Sequence, residues 1–149
     1  MKRASLASFD CSIARTLEVV GDPWTLMIVR DAVFGVRRFD DFQRSLGIPR
    51  ATLSKRLTAL VDDGVLERHG YAEHPPRHEY VLTDKGRSLG PVLIALLQWG
   101  DAWSGEQPVT LIDSDTGEPV APVFIDESSG RPLGELRIER RRRQPTAAS

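Results

Sequence analysis

Apolar residues recur with helical spacing in four successive segments of this chain. Ser12 to Val20 places Ile13, Leu17 and Val20 at intervals of four and three, which predicts an amphipathic helix stopped by Gly21. Asp22-Pro23-Trp24 starts a second helix, because Asp22 can accept from free backbone N–H groups and Pro23 suits a first turn that needs no N–H. It runs to about Phe34, and Trp24, Met27, Ile28, Val29 and Val33 give it the broad apolar face of a central bundle helix. Arg38 to Leu46 is shorter, with Phe39, Phe42 and Leu46 on one side, and Gly47-Ile48-Pro49 breaks it. From about Arg50 to Asp63, Leu53, Leu57, Leu60 and Val61 turn inward, while Arg50, Thr52, Ser54, Lys55, Arg56 and Thr58 lie elsewhere on the helix; Gly64 ends it.

Past Gly64 the pattern changes. Val65 to Arg68 and Glu79 to Thr83 read as short strands separated by a stiff tip, Tyr71 to Arg77, whose prolines are expected to stay out of the ladder. Thr83-Asp84-Lys85-Gly86 opens a last long helix to about Trp103, with Leu89, Val92, Leu93, Leu96, Leu97 and Trp99 presenting more apolar surface than one neighbour can cover. Val109–Ile112 and Val123–Ile125 are strand candidates for a small β-hairpin. They lie in an internal echo, Ile112-Asp113 through Gly117 and Pro119 against Ile125-Asp126 through Gly130 and Pro132.

Two helices joined by a tight turn and followed by a hairpin is the order of a winged helix-turn-helix, in which the second helix enters the major groove and the wing reaches flanking backbone. The predicted fold is therefore mainly α with a small β-wing, an α+β arrangement with flanking N- and C-terminal helices and a short β-hairpin tail. The expected partner is double-stranded DNA. Arg50, Ala51, Thr52, Ser54, Lys55 and Arg56 at the start of the recognition helix are candidates for base or phosphate contact, arginine being able to bind guanine through two hydrogen bonds. Arg38 ahead of the first helix of the pair, and His74, Arg77 and His78 on the wing, are candidates for DNA contact, the wing residues for phosphate.

Composition refines this picture. The 149 residues, 40% of them hydrophobic, suffice for one domain with an appendage rather than two independent cores. The expected division is a flexible segment 1–10, a winged domain 11–104, an extension 105–138 and a disordered basic tail 139–149. Apolar stretches such as Pro91 to Leu97 fall far short of the roughly 20 residues a bilayer-spanning helix needs, so no membrane role is expected. Lys2 and Arg3 precede no apolar export segment, and Cys11, the single cysteine, excludes an internal disulfide framework; a reducing cytoplasm is the expected compartment. Net charge is only −1, yet Arg37, Arg38, Arg44, Arg50, Lys55 and Arg56 meet only Asp40 and Asp41 nearby, whereas 106–135 is mostly acidic, so a basic face survives the neutral total.

No nucleophile–base pair, phosphate-binding glycine loop or metal-ligand cluster is legible, so neither an enzyme nor a cofactor is expected. The repeated Gly-x-Pro units hold Asp113, Thr116, Asp126 and Ser129 where a zinc knuckle would place cysteines, and zinc is not expected there. His69, His74 and His78 read as wing residues rather than a metal site. Trp24, Trp99 and Trp103 are either core or the lining of a small-molecule effector pocket, and Arg140 to Arg143 either a solvated tail or a DNA arm.

Taken jointly, Cys11-Ser12-Ile13, Gly21-Asp22-Pro23-Trp24, Arg38-Phe39-Asp40-Asp41-Phe42, Gly47-Ile48, Leu53-Ser54-Lys55-Arg56-Leu57, Leu60 to Leu66, Pro75 to Tyr80, Leu82-Thr83, Gly86 and Trp99 resemble the HxlR-type transcriptional regulators, relatives of MarR regulators. The resemblance covers about Cys11 to Trp103. It implies a homodimer on a pseudo-palindromic operator, with no enzymatic activity, and repression is the expected mode of regulation. It also implies an interface built from the first and last long helices, here Ile13, Leu17, Leu89, Val92, Leu93, Leu96, Trp99 and Trp103. Cys11 stands where some members carry a redox or electrophile sensor; the alternative is a small residue packed at the interface. The rival function is a winged helix used for protein association alone, marked by weak DNA affinity indifferent to salt.

Overall fold

The computed structural model describes residues 5–105 and 107–141. Lys2, Arg3, Glu106, Arg142 and Arg143 lie outside them. The described residues form two units, 5–105 and 107–141.

In the first unit, α1 (Ser12–Val20) begins after Cys11 and closes with the Gly21 N–H on the Leu17 carbonyl. The start of α2 (Pro23–Val33) is capped by Asp22, whose Oδ1 accepts from the Trp24 N–H at 3.0 Å. Asp40 and Asp41 complement the dipole at the start of α3 (Phe39–Leu46), and Gly47 ends it at a φ of 62°, a left-handed conformation costly for residues with a Cβ. Then α4 (Arg50–Asp62) buries Leu53, Leu57 and Leu60, one residue per turn. These join Ile28, Val29, Phe42, Ile48, Val65 and Leu66 in one core at the crossing of α2, α3, α4 and the root of the wing.

The wing is longer than its sequence suggests. Strands β1 (Leu66–Glu73) and β2 (Pro76–Leu82) pair antiparallel from Leu66↔Leu82 to Glu73↔Pro76, with an irregularity between Gly70 and Ala72. The ladder thus takes in most of the segment expected to be its tip, leaving His74 and Pro75 between the strands. In a two-stranded ribbon each strand keeps a free edge, so a proline without an N–H is tolerated there. The Tyr80 N–H donates to the Arg37 carbonyl at 2.8 Å and Arg38 bridges Glu79, which fastens the wing to the entry of α3.

The expected single last helix is two. A short α5 (Asp84–Arg87), capped by the Thr83 hydroxyl accepting from the Gly86 N–H, is separated by Ser88 and Leu89 from α6 (Gly90–Ser104). Pro91 is the reason: it has no N–H for the Arg87 carbonyl, and its ring crowds that position. Leu89 and Leu93 pack against the core.

Within the second unit, the two strand candidates contribute only isolated bridges, Ile112↔Pro119 and Ile125↔Pro132. Each echo folds into a tight loop: the Gly117 N–H donates to the Asp113 carbonyl at 2.7 Å, and the Gly130 N–H to the Asp126 carbonyl at 2.8 Å. Both bridges end on a proline, which cannot donate the next rung, so no ladder extends. Hydrogen bonds from the hydroxyls of Ser129 and Ser128 hold the Asp126 carboxyl below its ordinary pKa. A short 3-10 turn, Leu133–Glu135, follows.

Candidate nucleic-acid interface

The entry of α3, the start of α4 and the wing bring four of the candidate residues, Arg38, Arg50, Arg77 and His78, to one cleft. Along α4, Arg50, Ala51, Ser54, Lys55 and Thr58 are exposed and Thr52 is half-buried. His74, Arg77 and His78 are exposed on the wing. The cleft, of about 470 Å³, is lined in part by Arg38, Phe39, Asp40, Arg50, Tyr71 and Arg77, Arg50 being the α4 residue that reaches it.

Two arginines in this cleft are held in place. The Arg50 Nη1 donates to Asp40 at 3.0 Å and to the Gln43 side-chain oxygen at 2.8 Å, while the guanidinium lies over the Phe39 ring, 4.6 Å from its centre. Arg38 stacks over Tyr71 at 4.7 Å and its Nε donates to Glu79 at 3.3 Å. A fixed guanidinium loses less side-chain entropy when it meets a phosphate or base edge than a free one. Tyr71, Asp40, Gln43 and Glu79 were not among the sequence candidates. The one signal was Asp40 beside the basic cluster; the others come together only through the fold.

Arg56 departs from the candidate set. Its guanidinium points to Asp22 at the corner between α1 and α2, 2.7 Å from Oδ2, and its Nε is buried. Cys11 is half-buried at the N-cap of α1. Of the interface candidates, Leu89 and Leu93 are used inside the chain, whereas Ile13, Leu17, Val92, Leu96, Trp99 and Trp103 are exposed. Trp24 is exposed as well, so none of the three tryptophans is core in a single copy. Among the described residues no three His, Cys, Asp or Glu side chains gather as a metal site, and no helix is long and apolar enough to cross a membrane.

A sequence model described as HxlR-like helix-turn-helix matches residues 19–108. An uncharacterized HTH-type transcriptional regulator of Mycobacterium tuberculosis, Rv3095, is 45% identical over 125 residues, covering 82% of this chain and 79% of that protein. The Bacillus subtilis regulator YybR is 33% identical over 62% of this chain and 74% of its own. Among solved structures, that of PA1607, described as a candidate transcription factor, superposes with a TM-score of 0.79 at 40% identity over 93% of this chain and all (100%) of that one. The reduced form of the redox regulator HypR superposes with a TM-score of 0.59 at 32% identity over 62% of this chain and 92% of that one.

Proposed function

The chain belongs to the HxlR-like helix-turn-helix family of transcriptional regulators, and from that premise we propose that it works as a homodimer that binds a pseudo-palindromic operator and represses transcription there. In this reading residues 11–104 bind DNA and dimerise in the cytoplasm, with 105–138 as an extension. The observation that carries it is α6, an apolar helix with no fully buried residue, along which Val92, Leu96, Trp99 and Trp103 form one exposed strip. Ile13 of α1 is also exposed, at 71%. Apolar surface of this extent favours a partner, and a two-fold axis supplies the same strip from a second copy. Such a dimer would set its α4 helices about 34 Å apart, one DNA turn.

The test is a titration against the intergenic DNA upstream of its own gene and against a scrambled duplex, at two salt concentrations. Tight, selective, salt-dependent binding is expected. Weak binding indifferent to sequence and salt would instead favour a protein-association module. Arg50→Ala is expected to weaken the selective complex by about 1–3 kcal/mol while leaving scrambled DNA nearly unchanged; equal weakening on both would assign Arg50 to phosphate.

Oxidant or electrophile control would act at Cys11. A helix N-terminus favours the thiolate, and HypR, similar to this chain over 62% of its length, is described as a redox regulator. A disulfide between subunits would have to join Cys11 to Cys11. Treatment with a thiol oxidant is expected to abolish operator binding by the native protein and to spare Cys11→Ser. Equal sensitivity of the two in a mobility-shift assay would remove the thiol from the mechanism.

A further inference from the structure

Asp22 carries two tasks at one point of the fold. Its Oδ1 accepts from the Trp24 N–H and so caps α2, while its Oδ2 lies 2.7 Å from the Arg56 Nη2 in the middle of α4. Both side chains are largely covered, Asp22 being 20% and Arg56 30% exposed, and the Arg56 Nε has no hydrogen-bond partner. The cap orients the carboxylate, and α1 ends only two residues earlier, at Val20. A shielded pair of this kind keeps more of its Coulomb attraction than one in open water. Turning Arg56 outward to a phosphate would leave Asp22 without its charge partner in this half-buried place.

We propose that the Asp22–Arg56 pair is a brace that sets the angle of α4 against the α1–α2 corner, making Arg56 a positioning residue for DNA recognition rather than a DNA contact. The proposal rests on the DNA-binding reading for its consequence, but the brace belongs to the free protein. It has a simple geometric logic. Leu53, Leu57 and Leu60 fix α4 by apolar packing, which tolerates small rotations, whereas a half-buried ion pair anchored on a helix cap ties mid-helix to the α1–α2 corner.

Asp22→Asn separates the two tasks, since asparagine caps a helix as well as aspartate but would meet the guanidinium with an amide N–H₂ or a neutral oxygen. Arg56→Met keeps the stem and removes the charge. The brace predicts that both variants lose about tenfold in affinity for the selected duplex, comparable to one lost base contact, with the slope of affinity against salt unchanged and the double variant no weaker than either single one. A phosphate contact predicts the opposite signs: Arg56→Met lowers the salt slope by about one, and Asp22→Asn leaves affinity unchanged or raises it by freeing the arginine. Either of those results overturns the proposal.

Hydrogen exchange of the α4 amides without DNA supplies the independent readout. Both variants are expected to speed exchange along α4 to the same degree, and unchanged α4 protection would overturn the brace as well. If native protein shows no sequence-selective binding, the operator reading fails, while exchange still decides whether the pair holds α4.

Discussion

Leu96→Glu is expected to yield a folded monomer whose operator affinity is about 10²–10⁴-fold below that of the native protein. Leu96 is 49% exposed in the single chain, so a carboxylate there stays in water and leaves the core untouched. In a two-fold interface along α6 the same carboxylate would lose its water without gaining a partner, which costs far more than the removed leucine contributes. A monomer holds one half-site, and the effective concentration that a linked second half-site provides disappears. Sedimentation and the duplex titration check the two halves of this expectation. A variant that remains dimeric with native affinity would place the interface away from α6.

Gly86→Ala is expected to reduce stability by about 3 kcal/mol, which for a domain of this size lowers the unfolding midpoint by roughly 12–24 °C. A Cβ at Gly86 would fall on the Val65 carbonyl oxygen and stand 2.8 Å from Leu82 Cδ2. That carbonyl cannot easily retreat, because it accepts from the Thr83 N–H at 3.1 Å, where the wing returns to the core. Gly100 in α6 is the comparison: nothing lies within 4 Å of its added Cβ, and Gly100→Ala is expected to stabilise by about 0.5–1 kcal/mol through helix propensity. Thermal unfolding by circular dichroism measures both. An unshifted midpoint for Gly86→Ala would mean that α5 moves away from Val65 at little cost.

The same contrast separates what was legible in the residues from what was not. Helices α1 to α4 could be read in advance because their determinants are local: apolar residues every three or four positions, Asp22-Pro23 at one start, Gly47 and Gly64 after two ends. The order of helix pair and wing followed from them, and with it the fold class and family. Boundaries shifted where a local rule met a neighbour. The prolines of the wing were read as outside the ladder, yet Pro76 pairs with Glu73 because the ribbon has only two strands. Pro91 was read as one apolar residue among several, yet it divides α5 from α6.

Side-chain partners were the least legible. That Arg50, Lys55 and Arg56 all lie on α4 is a matter of spacing, but spacing leaves each of them free to face solvent. Only the packing of α3 beside α4 brings Asp40 and Gln43 to Arg50, and only the placing of the α1–α2 corner brings Asp22 to Arg56 across more than thirty positions. Likewise Gly86 seemed part of a helix start until Val65 was found against it. Helices α1 to α4, the wing after them and their order could be read from the residues alone, because periodicity, caps and breakers act within a few positions. Which charges are held, which glycine lies against a distant carbonyl and which apolar strip stays open were settled only by the fold, because those depend on contacts between segments distant in the chain.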